Sequence, residues 1–193
     1  MDTSLGGLLL NACRDNRSVQ GQSSQNAALL LATLVDVPRF ELVTSISAPV
    51  AACFDLSLSV DAHAASMGRS GERPIAGVMS GAMSLGDTVT WQGRHFGLRF
   101  RLTSTISAYE RPVRFVDVQI RGPFAHWRHE HLFEAVSAQE TRMVDRVDFR
   151  SPARPIGVLV DRWLLDDYMR ALIRRRNAYL ATSLNAGSQR PGD

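Results

Sequence analysis

The chain contains no lysine; all 22 of its basic side chains are arginine, against 19 acidic ones. That absence excludes Schiff-base chemistry and a lysine nucleophile. Charge of one sign is also scarce, because the net value of +3 is spread along the chain and forms no basic stripe of the kind that binds nucleic acid. Cysteine is limited to Cys13 and Cys53, which form no CxxC pair, so neither a disulfide framework nor a zinc knuckle follows. No run approaches the roughly 18 apolar residues that cross a bilayer, and no stable membrane insertion is expected. Leu8-Leu9-Leu10-Asn11-Ala12-Cys13 has the outline of a lipoprotein cleavage box, yet no basic residue precedes it and its apolar run is short for a signal core. A soluble, cytoplasmic protein is the expectation. No serine stands in a GxSxG elbow, and Gly77-Val-Met-Ser-Gly81 lacks the GxxxxGK of a phosphate loop, so its glycines are assigned to bending a strand.

What the chain does have is a hydrophobic content of 45% over 193 residues, enough for one full core. Residues 1–37 differ in kind from the rest. Ser18 to Asn26 is rich in Gln and Ser without an apolar period and reads as a flexible linker; Leu29, Leu30, Leu31, Leu34 and Val35 suit a short helix ended by Pro38. This extension is a candidate for fastening the domain to a partner. The packed domain is expected at 38–184, with 185–193 a frayed tail.

Inside the domain the apolar period changes in an orderly way. Phe40, Leu42, Thr44 and Ile46 alternate as a strand; Pro49 opens a helix carrying Val50, Cys53, Phe54 and Leu58; a second short helix runs from Val60 to Met67 and stops at Gly68. Six strand-like runs follow, at Pro74–Met83, Asp87–His95, Leu98–Ser107, Val113–Ile120, Ala125–Val136 and Thr141–Phe149. From Ile156 to Leu184 one long helix keeps Leu159, Trp163, Leu165, Tyr168, Met169, Leu172, Ile173 and Tyr179 on an apolar face, with Arg170 to Arg176 supplying the polar one. The order predicts an α+β fold in which a curved antiparallel sheet of about seven strands wraps a long C-terminal helix and leaves a cavity between them.

With that order in place, GDTVTWQGRHFG (86–97), RFVDVQIRGPFAHWRHEHLFE (114–134) and Met143-Val144-Asp145-Arg146-Val147 resemble the SRPBCC superfamily, and within it a bacterial ligand-binding subfamily often labelled cyclase/dehydrase-like. The resemblance covers about 40–184. It implies a helix-grip fold with an internal cavity, and a scaffold that hosts carriers, transfer proteins and enzymes alike.

Strand alternation sorts the side chains into faces. Val89, Trp91, Gly93 and His95 share one side, assigned inward because tryptophan is costly to expose. Trp127, His129, His131 and Phe133 share another, and a tight turn near Ser137–Gln139 sets Asp145 beside His131 or Phe133, with Met143, Val147 and Phe149 on its own face. A mostly apolar wall with a few polar points suits a hydrophobic or aromatic small molecule. His63, Val89, Trp91, Trp127, His129, Phe133, Met143 and Val147 are the expected ligand contacts. His63 reaches the cavity mouth if the resemblance holds, and a surface role competes with that reading.

Two readings of the polar points stay open. His131 held by Asp145 can shuttle a proton, with His95 as a second donor, and the three then form the catalytic set of a cyclase, aromatase or dehydratase. The alternative is an anchor for a ligand carbonyl with no turnover. His129-x-His131 also has the spacing of two metal ligands, a third then coming from His95 or Asp145; hydrogen bonding inside the sheet accounts for the pair as well, and neither metal nor cofactor is assigned. Arg174-Arg175-Arg176 reads as favourable charge near a helix end, with a phosphate or membrane contact as the competing use. A monomer or homodimer is expected.

Overall fold

The computed structural model of the chain describes residues 39–151 and 165–188. The expected helix at 29–35, Cys13, residues 156–164 of the long helix with Leu159 and Trp163, and the end of the tail lie outside them. The order is β1 (Arg39–Ile46), α1 (Val50–Ser57), α2 (Val60–Ser66), β2 (Arg73–Gly77), β3 (Thr88–His95), β4 (Leu98–Glu110), β5 (Arg114–Arg121), β6 (His126–Ser137), β7 (Glu140–Arg150) and α3 (Asp166–Ser188). The seven strands form one antiparallel sheet in the order β1-β7-β6-β5-β4-β3-β2. β1 and β2 are its two edges, so the chain enters at one edge, crosses beneath the sheet through α1 and α2, and returns strand by strand.

Local chemistry explains the elements. In β1, Phe40 and Ile46 are buried while Arg39, Glu41, Val43 and Ser45 face water, a period of two. Pro49 leads into α1, and Ser59 Oγ caps α2 by accepting from the Ala62 amide at 3.2 Å. Register shifts at Thr103/Ser104 and Ile106/Ala108 of β4, and at Pro74/Ala76 of β2, bend the sheet. α3 packs against β1, α1 and α2 on the concave side.

Two expectations change here. The run expected as a strand over Pro74–Met83 stops at Gly77, whose φ of +78° turns the chain; a Cβ there would lie 2.1 Å from the Thr88 carbonyl oxygen. The following residues leave the sheet to pair with the helices, through Val60 N–H to Gly81 O at 2.9 Å and Met83 N–H to Leu58 O at 3.2 Å. In α3, which continues past Leu184 to Ser188, Met169, Leu172, Ile173, Arg176, Asn177 and Leu180 are the buried positions. Tyr179, expected on that face, is 36% exposed; the spacing of the buried set follows the helical period, and two polar residues occupy it.

Candidate functional site

A cavity of about 470 Å³ lies between the concave sheet, α2 and α3. Its walls are mostly apolar: Met83, Val89, Trp91, Phe100, Leu102, Ile106, Phe115, Phe124, Trp127, Met169, Leu172 and Ile173. The polar side chains gather at two places.

The first group joins α2, β3 and α3. Glu72 Oε2 lies 3.0 Å from His63 Nε2 and Glu72 Oε1 3.4 Å from His95 Nε2, while Ser70 Oγ donates to Oε1 at 3.0 Å. His95 Nδ1 is 2.7 Å from the Tyr168 hydroxyl, and the His63 ring lies against Trp91 with centroids 4.2 Å apart. Burial works to raise the Glu72 carboxyl, but the hydrogen bond from His63 and the two imidazoles outweigh it and hold it below the usual range. Burial, then the charge of Glu72, pushes the Tyr168 hydroxyl up. Glu72 fits beneath β3 because Gly93 has no side chain; a Cβ there would sit 2.6 Å from Glu72 Cγ.

The second group belongs to β5, β6, β7 and α3. His131 and Asp145 are cross-strand partners in the β6–β7 register. Asp145 Oδ1 accepts from His129 Nε2 at 2.9 Å and Asp145 Oδ2 from Asn177 Nδ2 at 2.7 Å. His131 Nδ1 also lies 2.9 Å from Oδ1, but without an aligned hydrogen bond, and among the described residues it is the buried side-chain nitrogen left without one. On the cavity side of the two rings stands Asp117, its Oδ1 accepting from Trp127 Nε1 at 3.2 Å and its Oδ2 facing His131 Nε2 at 3.5 Å and His129 Nδ1 at 3.7 Å. Arg176 Nη1 is 3.8 Å from Asp145 Oδ1, and Nη2 donates to the Ser57 carbonyl at 2.9 Å.

Burial works against both carboxylates, yet the imidazoles hold Asp117 below and Asp145 well below the ordinary range. Burial, and next the neighbouring His131, push His129 down to about 4, so it is neutral at pH 7. Arg176 is lowered by burial, with the two carboxylates opposing.

Of the expected site residues, His63, Val89, Trp91, His95, Trp127, His129 and His131 line the cavity. Phe133, Met143 and Val147 do not, because α1 covers the first two and the third packs with α3: the Phe133 ring packs on Phe54 with centroids 5.4 Å apart, Met143 Sδ accepts from Ser57 Oγ at 3.9 Å, and Val147 lies in the cluster around Phe40 and Met169. Asp145 is fully buried behind the histidines. Among the described residues, no hydrogen bond or ion pair joins His95 to His131 or Asp145; the three split between the two groups. Arg176 is not a surface charge at a helix end but a buried cation on the cavity wall. The residues that sequence reading missed are Asp117, Glu72, Tyr168, Arg176 and Asn177. Alternation in RFVDVQIR already puts Asp117 on the face of the buried Phe115, and the helical period puts Arg176 and Asn177 in line with Met169 and Leu172.

No family model matches the chain, and no curated protein sequence matches it. Solved structures do. A protein of Thermus thermophilus superposes with a TM-score of 0.65 at 16% identity, over 79% of this chain and 100% of its own. The Zhui aromatase/cyclase of Streptomyces sp. R1128 gives 0.64 at 14% identity, over 78% and 94%. A START superfamily protein of Mycobacterium smegmatis gives 0.58 at 10%, over 74% and 96%. The seven-stranded antiparallel sheet closed by a C-terminal helix is therefore an SRPBCC-type helix-grip fold. No described helix is long and apolar enough to cross a membrane.

Proposed function

We propose that the chain binds a hydrophobic or aromatic small molecule in this cavity. The observation that carries the reading is the cavity itself: about 470 Å³, walled by aromatic and aliphatic side chains, with polar groups confined to two places that can orient a ligand. The fold neighbours, which include a START superfamily protein and an aromatase/cyclase, support a ligand-holding role in general. Arg176 and the Tyr168 hydroxyl supply donors for a ligand oxygen. Protein purified from its own host and examined by native mass spectrometry should carry a small apolar molecule. A chain that arrives empty, and whose Trp91 and Trp127 fluorescence ignores a library of hydrophobic compounds, would overturn the reading.

The two polar groups favour a second reading, in which the ligand is transformed. His131, backed by Asp145, takes a proton from an activated carbon, and the Glu72–His95–Tyr168 chain returns one to a carbonyl oxygen, the chemistry of a cyclase, aromatase or dehydratase acting on a poly-carbonyl chain. Unchanged turnover in His131→Ala and His95→Ala would remove it.

A further inference from the structure

Asp145 fixes where the hydrogens lie on both histidines of the second group. Its Oδ1 stands 2.9 Å from both His129 Nε2 and His131 Nδ1, while Oδ2 accepts from Asn177; a carboxylate oxygen accepts, so the nitrogens turned toward it are the ones that carry hydrogen. In that tautomer the other nitrogen of each ring is the one that offers a lone pair. Those nitrogens, His129 Nδ1 and His131 Nε2, both face Asp117 Oδ2, at 3.7 and 3.5 Å, beyond the about 2.7–3.2 Å of a hydrogen bond. Three possible ligand atoms thus lie within 4.8 Å of one another at the cavity wall with no hydrogen bond among them.

We propose that this point is a site for one divalent transition-metal ion of the zinc type, held by Asp117 Oδ2, His129 Nδ1 and His131 Nε2, with its fourth position open to the cavity. Metal bonds of about 2.0–2.2 Å place tetrahedral ligand atoms roughly 3.3–3.5 Å apart, so the observed separations from Asp117 need to close by a few tenths of an ångström at most. The surroundings are those a metal-bound histidine requires. Asp145 stands behind both rings as the carboxylate that orients them and fixes their tautomers, and a small rotation of His131 aligns its orphaned Nδ1–H on Oδ1. Trp127 holds the other oxygen of Asp117.

The charges agree. The formal charges of Asp117, Asp145 and Arg176 sum to one negative charge, and a divalent ion turns this into one positive charge that an ionised or carbonyl oxygen in the fourth position can meet. The first polar group offers no such point, because His63 and His95 divide the two oxygens of Glu72 and Tyr168 takes the remaining nitrogen of His95. The site is compatible with a cavity that carries its ligand, and an ion on His131 Nε2 takes the nitrogen that the second reading uses as its base. The competing occupant is a single proton on His131 Nε2.

The test is a Co²⁺ titration of the full chain after chelation. One equivalent should give the visible d–d bands of a four-coordinate ion, displaced by Zn²⁺. Asp117→Asn and His131→Gln should each weaken uptake at least tenfold with an unchanged circular dichroism spectrum, while His126→Ala, on the opposite face of β6, changes nothing. Should Asp117→Asn fail to fold, the wild-type Co²⁺ protein decides the matter by NMR, with two strongly shifted, solvent-protected imidazole N–H resonances from His129 and His131. A folded chain that leaves Co²⁺ with the spectrum of the aquo ion at about tenfold excess overturns the proposal in favour of the proton. Uptake that survives Asp117→Asn but is lost in His63→Ala also overturns it.

Discussion

Asn177 on α3 donates a 2.7 Å hydrogen bond to Asp145 on β7, fastening the helix to the sheet directly behind the two cavity histidines. The same carboxylate accepts from His129 and lies 3.8 Å from Arg176, so one buried anion answers three separate side chains. Removing it leaves the buried Arg176 without its nearest anion, takes the acceptor from His129, and leaves Asn177 only its bond to Thr44. Asp145→Ala should therefore cost about 3–5 kcal/mol, read by chemical denaturation. Asp145→Asn, which keeps an acceptor, should cost clearly less. Equal losses in the two variants would mean that the charge itself, and not the hydrogen bonding, secures the helix.

Gly93 and Glu72 make a second prediction. A methyl group at position 93 meets Glu72 Cγ at 2.6 Å and His95 Nε2 at 3.2 Å, and Cγ is too close to the backbone to swing aside freely. Gly93→Ala should destabilise by about 1–3 kcal/mol and shift the imidazole resonances of both His63 and His95. Unmoved resonances would show that the carboxylate does not need the space.

The pH response of the first polar group has a definite sign. The folded-state pKa of Glu72 is depressed below its ordinary 4.5, so on acidification the unfolded chain takes up this proton first. The stabilisation is complete above the ordinary value and is lost as pH falls through the folded one. Glu72→Gln should flatten that part of the acid unfolding curve, measured as the unfolding midpoint against pH. A curve as steep as that of wild type would sink the assignment.

The fold was legible because its signals are local and periodic. Alternation in TVTWQGRH and HWRHEHLF identified the inward residues of β3 and β6, and the tight turn after β6 set Asp145 beside His131 or Phe133, of which the sheet pairs it with His131. Polar residues on apolar faces were harder to read. Arg176 and Asn177 lie between Met169 and Leu180 at helical spacing, but in an arginine-rich run their charge and polarity hid the period. Nor does alternation say which inward residues meet the cavity and which meet a helix. Phe133 and Met143 face inward as expected, yet α1 lies over them. That distinction depends on where the helices rest, a matter of packing between segments far apart in sequence.

The cavity reading can be tested by filling it. Ser104, on β4 opposite Val89, is buried on the cavity wall among Ile106, Trp91 and Phe115, where the space ahead of its small side chain is part of the cavity. Ser104→Phe should place a ring in that space, lowering affinity for hydrophobic ligands at least tenfold by tryptophan fluorescence titration while leaving the unfolding temperature equal or higher. The stability follows from replacing a void with apolar contacts, and the affinity loss from occupying the ligand's volume. An unchanged affinity in a folded Ser104→Phe chain would mean that ligands bind somewhere else.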